Sequence, residues 1–358
     1  MKQWLETRQI LARIAELQRD GVRAALATVV RVRGSAYRHE GAKLVVSDDG
    51  RSVGNVSGGC LEEDVREVAR QVIASGVSEV RTYCGGSSEV DAWDLGVGCD
   101  GEVEILIEPV LSDRAAERRL VEAESPFIVI TRLDRALAGD QRSPDDAAAA
   151  SGELQRVVVT GEPAVEWLAS GHSRMVEQNN AALFVDVMIP PPRLLVVSAG
   201  DDACHLARLA SEVGFRVVVA DRRPGLLTAD RFPSSVRLLE TDAARLSERV
   251  VLDADSFAVV MTHHFADDTD YLRALLRSPA RYLGVLGPRQ RMERILGILR
   301  EEGPVDESRI FGPVGLDIGT DGAEQVALST LAEILAVRSG RGARSLRDRR
   351  APIHASRE

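Results

Sequence analysis

The sequence predicts an α/β protein: an N-terminal mixed α/β domain followed by a C-terminal, Rossmann-like, doubly wound parallel sheet. Three observations carry this expectation. Strand-like and helix-like segments alternate regularly from Leu194 onward. Pro190-Pro191-Pro192 can neither join a ladder nor continue a helix, so it divides the chain. A length of 358 residues, 44% apolar and 28% charged, suits about two ordinary domains with buried cores. The expected domains are residues 1–189 and 190–338, with an Arg-rich tail, 339–358, that lacks a core pattern and reads as disordered.

Composition narrows the function classes. A net charge of −10 argues against nucleic acid as a partner. Four cysteines, none in a Cys-x-x-Cys pair, are too few for a disulfide scaffold. The amino terminus has no apolar signal core, and no stretch approaches the roughly 18 apolar residues of a membrane span. The expectation is a soluble, cytoplasmic protein with no membrane partner.

In the first domain, Leu11, Ile14 and Leu17 fall at helical spacing, and Asp20-Gly21 ends that helix. Leu26, Thr28, Val30 and Val32 alternate as one face of a strand. Leu44–Val46 and the segment after Asp48-Asp49-Gly50 read as a hairpin. Residues 61–75 are helical, Gly76 closes them, and Glu102–Glu108 is a strand. The Ala/Asp/Ser-rich stretch 136–152 reads as a long surface loop. In the second domain the strands are Leu194–Val197, Arg216–Ala220, Val236–Leu239, Phe257–Met261 and Tyr282–Leu286. A helix spans Ala203–Val213, and a last helix begins near Asp321, whose pairing with Glu324 fits a capping box.

Several residues could carry chemistry. After the strand Leu194–Val197, Ser198-Ala199-Gly200-Asp201-Asp202-Ala203 stands where a dinucleotide fingerprint would read Gly-x-Gly-x-x-Gly. Gly200 holds the middle position and Asp221 the ribose-binding one. Serine replaces the first glycine, and two aspartates sit where an anion would dock, so a nucleotide site and an empty Rossmann turn both remain open. His263, Gly287 and Arg289 follow strand ends that converge on one edge of a parallel sheet, and Arg289 and Arg291 could offset the two aspartates. His264 reads as a loop residue only. In the first domain, Cys60 follows Gly58 and Gly59 at a helix start, where a thiolate is stabilised; a small capping residue is the other reading. Cys99 is a second glycine-flanked thiol. Gly34, Ser35 and Arg38 could clamp an anion, or simply be solvated loop.

Taken together, the motifs resemble those of the XdhC/CoxI family, accessory factors that mature xanthine dehydrogenase and carbon monoxide dehydrogenase. The matching pieces are GSAYRHEGAK (34–43), GNVSGGCLEEDV (54–65), LGVGCDGEVEILIEP (95–109), SAGDDA (198–203), VVMTHHFADD (259–268), YLGVLGPRQRMERIL (282–296) and GPVGLDIGTDGAEQVALSTLAEILAVR (312–338). The departures are Asp100 in place of a glycine, Tyr37 where proline is common, and Ser198. The resemblance implies an accessory cofactor-insertion chaperone rather than a turnover enzyme. Such a protein binds the molybdenum cofactor (molybdopterin, or its dinucleotide form), keeps it while a sulfur is installed, and delivers it to a molybdenum hydroxylase. It places the family's thiols on Cys60 and Cys99, with Cys60 as the contact to molybdenum. The backbone and arginines at Gly200, Arg38 and Arg289 would face the phosphate, with the cofactor bridging the two domains. The implied partners are a cysteine desulfurase-type sulfur donor, the large subunit of the hydroxylase and, in a homodimer, a second copy of the chain. The rival readings are an NAD(P)-dependent oxidoreductase with His263 as acid/base and a non-catalytic adaptor that only docks a dehydrogenase or a sulfur donor.

Overall fold

Residues 2–34, 36–84, 101–133, 154–178 and 181–350 are described by the structure, a computed structural model. The chain forms two units, Lys2–Pro190 and Pro191–Glu358, that meet inside the proline triplet.

The first unit opens with the helix Lys2–Arg19, which buries Trp4, Ile10, Leu11, Ile14 and Leu17 and ends at Gly21, φ +68°. Its first sheet has the order β3-β2-β1-β5-β4: Ser52–Gly54, Lys43–Ser47, Ala24–Arg33, Glu102–Pro109 and Glu79–Cys84, all antiparallel. β1 is buried on both faces. Ala25, Ala27 and Val29 pack on Val65, Val68, Ala69 and Val72 of the helix Glu62–Ser75, while Leu26 meets Ile10, Ile14 and Leu17. Val32 does not share the face of Leu26 and Val30, as the alternation predicts. A register shift between Val29 and Arg31 inserts one residue, so Val32 packs with the Val29 face. A strand has a period of two, and one extra residue flips everything beyond it.

The sequence pattern gave no sign of a second sheet, with the order β7-β6-β9-β8: Arg156–Val159, Phe127–Leu133, Ala181–Met188 and Arg174–Gln178, again antiparallel. A charged layer joins the two sheets. Lys43 Nζ on β2 donates to Asp186 Oδ2 on β9 at 2.5 Å, and Ser173 Oγ donates to Asp186 Oδ1 at 2.8 Å. Glu108 Oε1 on β5 accepts from Arg156 Nη2 on β7 at 2.6 Å and from Arg114 Nη2 at 3.0 Å. Gly41 is constrained here: its φ is +87°, and a Cβ would stand 2.8 Å from Asp186 Oδ1.

The second unit is a six-stranded, all-parallel sheet ordered β12-β11-β10-β13-β14-β15: Arg237–Glu240, Arg216–Asp221, Arg193–Val197, Phe257–Val260, Tyr282–Val285 and Ile310–Phe311. Counted within the unit this is the order 3-2-1-4-5-6 of a doubly wound fold, whose direction reverses between β10 and β13. Side chains alternate accordingly. Leu194 and Val196 pack on the helices Asp201–Glu212 and Ala323–Ser339, whereas Leu195 and Val197 pack on Phe265–Leu276 and Arg289–Glu302. The last helix starts at Ala323 with Gly322 as its N-cap, so Glu324 is not its third residue. Gln325 is, and its Oε1 accepts the Asp321 N–H at 2.9 Å in place of the expected Glu324 contact. Residues 340–350 continue as exposed coil with one 3-10 turn, Leu346–Asp348.

Candidate functional site

Cys60 is exposed on a loop that is held from below. Ser57 Oγ donates to Glu62 Oε2 and accepts the N–H groups of Gly59 at 3.0 Å and Leu61 at 3.1 Å. Glu62 Oε1 accepts those of Ser57 at 2.9 Å and Val56 at 3.2 Å. Burial alone would raise the Glu62 carboxyl, yet the hydrogen bonds from Ser57 and Val56 hold it below its ordinary value. The helix Glu62–Ser75 therefore has its amino end organised by Ser57, and Cys60 lies two residues ahead of it. Gly59 has φ +117°, and a Cβ on Gly58 would touch the Tyr37 ring at 3.4 Å, an ordinary contact distance. Tyr37 is itself 67% exposed. The loop thus carries an exposed thiol two residues beyond the glycine that backs onto the Tyr37 ring.

The other N-terminal candidates fare differently. Gly34 is exposed at the end of β1 with φ +79°. The Arg38 guanidinium grips Glu6 with two N–H groups and is nearly buried, so the anion clamp expected there is already filled by a carboxylate of the chain. Ser35 and Cys99 lie outside the described residues, as does the whole of the loop expected at 136–152. Among the described residues no cluster of three or more His, Cys, Asp or Glu could hold a metal ion.

In the second unit, the carboxyl ends of β10, β11 and β13 border a cleft of about 150 Å³ lined in part by Ser198, Asp221, Arg223, Thr262, His264 and Tyr271. Its polar groups bond mainly to one another. Ala199 N–H donates to Asp221 Oδ2 at 2.7 Å, and Gly200 N–H donates to Ser198 Oγ at 3.1 Å. Arg223 forks onto both Asp221 oxygens at 3.0 and 2.8 Å. Burial pushes the Asp221 carboxyl up, but the bonds from Arg223 and Ala199 win and hold it below the usual carboxylate range. A pyrophosphate on the Gly200 turn, or a ribose on Asp221, would first have to displace these internal partners. That geometry disfavours NAD(P).

The compensating charges are not the ones the sequence suggested. Arg231 pairs with Asp201 at 2.9 Å, and the same guanidinium donates to Ala199 O at 2.9 Å. His263, at φ +60°, reaches Asp202 with Nε2 at 2.9 Å, so it spans from the β13 turn to the helix after β10. Arg291 is committed to Asp268 at 2.5 Å. Gly287, φ +138°, admits that side chain: a Cβ there would meet Arg291 Cδ at 2.9 Å. Arg289 alone of this group stays exposed without a polar partner among the described residues, available to an anion. His264 caps the helix Phe265–Leu276, accepting from Asp267 N at 3.4 Å, in keeping with a loop role. Sequence reasoning missed Arg231, which sits in an aperiodic stretch. It also missed Asp268, whose only signal is a pair of acids in a first helical turn.

Ser198 occupies φ +142°, a region that glycine adopts freely and serine does not. Relief of about 1–3 kcal/mol of strain should outweigh the lost Gly200 bond, worth about 0.5–1.5 kcal/mol. Ser198→Gly is therefore expected to stabilise the unit by about 1 kcal/mol in urea unfolding; a loss of stability would mean that the hydroxyl contact dominates.

Comparison with known proteins agrees with this architecture. Residues 194–334 match the XdhC Rossmann domain, and residues 17–84 match the XdhC and CoxI family. The chain is 30% identical over 330 residues to a Bacillus subtilis protein described as a probable xanthine dehydrogenase subunit, covering 90% of this chain and 95% of that protein. It is 26% identical to the molybdenum cofactor insertion chaperone PaoD of Escherichia coli, covering 92% and 88%. A crystal structure of a xanthine dehydrogenase from Bacillus halodurans superposes with a TM-score of 0.72 at 30% identity, covering 94% of this chain and 97% of that one. A whole-length relative at that identity and two matched domains in the same order lead to one assignment: this chain belongs to the XdhC/CoxI family.

Proposed function

We propose that this protein is a molybdenum-cofactor chaperone. In this reading it holds the pterin cofactor as cargo while a cysteine desulfurase-type donor supplies the terminal sulfur, and it passes the cofactor to a xanthine-dehydrogenase-type molybdenum hydroxylase. The relatives named for cofactor insertion and for xanthine dehydrogenase support the class. The observation that carries the reading is the presentation of Cys60. Ser57 and Glu62 accept the N–H groups of Val56, Ser57, Gly59 and Leu61, which leaves the thiol exposed directly after two glycines. Molybdenum bound by a dithiolene is soft, and a thiolate is the protein ligand that suits it. Glycines let a bulky metal group approach the backbone, and an exposed loop lets the cargo leave. Cys99 is the second thiol of the proposal.

The test is retention. The full chain is loaded with free cofactor and desalted, and bound metal and oxidised-pterin fluorescence are then measured. Cys60→Ser is expected to lose cofactor at least about tenfold faster than the parent chain, with an unchanged fold by circular dichroism. Equal retention in Cys60→Ser and in the Cys60/Cys99 double variant would remove the thiol from the mechanism.

A further inference from the structure

The chain has four tyrosines, and three of them serve inside the fold. Tyr271 and Tyr282 are buried, and their hydroxyls donate to Thr241 O at 2.8 Å and to Glu333 Oε2 at 2.5 Å. Tyr83 packs against the core beneath the helix Glu62–Ser75 and donates to Asp64 Oδ2 at 2.6 Å. Tyr37 differs. Its side chain stands in solvent, and among the described residues its hydroxyl has no hydrogen-bond partner.

One exposed aromatic ring is ordinary on a protein surface and says nothing by itself. What distinguishes Tyr37 is how the ring is seated. A Cβ on Gly58 would stand 3.4, 3.5 and 3.6 Å from its Cγ, Cδ1 and Cδ2. A neighbour at the ring's edge would be much closer to one Cδ than to the other, and one behind Cγ would be farther from both. The near-equal distances therefore put Gly58 under a face of the ring. The other face is open, and among the described residues no aromatic ring or guanidinium covers it.

The residues around the ring are held. Ala36 is buried, Arg38 is tied to Glu6 on the first helix, and Glu40 Oε1 accepts the Val32 N–H at 3.0 Å. A ligand on Tyr37 would not first have to order the loop. Cys60 follows Gly58 by two residues, so their Cα atoms lie no more than about 7 Å apart. The backbone that supports the ring also carries the thiol.

We infer that the open face of Tyr37 is a stacking seat for the pterin ring of the cargo, with Cys60 at the cargo's metal end. The inference rests on the reading above for the nature of that cargo. The dithiolene that binds molybdenum is fused to the pterin through a single ring, so the metal and the heterocycle lie close together. In the dinucleotide form the nucleobase is also flat, but it lies beyond the phosphate and farther from the metal. Aromatic stacking needs only a π-face and is reversible, which suits a ligand that must leave.

The experiment uses the full chain and two probes: the free molybdenum cofactor, and its metal-free, oxidised pterin, measured by fluorescence after equilibrium dialysis. The parent chain and Cys60→Ser should bind the metal-free pterin alike, because it offers the thiol no metal. Tyr37→Ala should bind it about tenfold more weakly and lose the loaded cofactor about tenfold faster, with an unaltered melting temperature. Tyr37→Phe should restore both. Equal binding of the metal-free pterin by the parent and Tyr37→Ala overturns the inference, as does a parent chain that binds neither probe. Displacement of the pterin by an equal concentration of cytidine or guanosine monophosphate overturns the assignment to the pterin. Failure of the thiol role has a different signature: Cys60→Ser then keeps the cofactor as the parent does, while Tyr37→Ala still loses it.

Discussion

Replacing Asp268 by alanine is expected to destabilise the parallel-sheet unit by about 3–5 kcal/mol, the range for removing one partner of a buried ion pair. The Asp268 carboxylate is fully buried. It accepts Thr262 N–H at 3.1 Å, Thr262 Oγ1–H at 2.5 Å and Arg291 Nη2–H at 2.5 Å. One side chain therefore fastens the turn after β13 to the helix after β14. Alanine would leave the Arg291 guanidinium, 23% exposed, and the half-buried Thr262 amide without this acceptor. Asp268→Asn keeps the shape but loses the charge, and about half the penalty is expected. Urea unfolding of the two variants measures both; an alanine variant within about 1 kcal/mol of the parent would show that the network is dispensable. The turn also carries His263, so its contact with Asp202 should loosen in step.

Glu108→Ala should cost the N-terminal unit a similar amount, again about 3–5 kcal/mol. Glu108 is 2% exposed and is the shared acceptor of Arg114 and Arg156, which come from outside its own strand. Burial alone would raise its pKa, but the two guanidinium groups prevail and keep it below the ordinary value. A carboxyl whose pKa is lower folded than unfolded adds stability that is fully present above the unfolded value, about 4.3. That contribution disappears as pH falls through the folded value. The stability gap between the parent and Glu108→Gln should therefore be constant from pH 6 to 8 and close below about pH 4.3. A gap that stays constant into acid would assign the difference to packing rather than charge.

Much of the fold could be read because local patterns and tertiary structure agree. Leu194–Val197 and Val217–Ala220 are continuous apolar runs, as a sheet covered on both faces demands, and each ends at a polar residue. The helix near the amino terminus follows from Leu11, Ile14 and Leu17 alone. Patterns failed where a long-range partner decides. Nothing near Val32 announces the extra residue at Val29–Arg31, because a bulge is defined by the opposing strand. The second antiparallel sheet escaped because its outer strands, Arg156–Val159 and Arg174–Gln178, are short and half exposed.

The candidate site divides the same way. Cys60 with its glycines was visible as a motif, but the clamp beneath it depends on Ser57 and Glu62 folding back on one another. Arg38 and Asp221 were chosen for their chemistry. What sequence could not show is that Glu6 and Arg223 already occupy them.

The parallel sheet ends in very short strands: four residues at Arg237–Glu240 on one margin and two at Ile310–Phe311 on the other. Unpaired margins are templates on which a foreign or unfolded chain can add a strand and begin to aggregate. Margins this brief offer little purchase for such growth. On the reading proposed above, such margins would let the protein meet an incompletely assembled enzyme without inviting it to polymerise along its backbone.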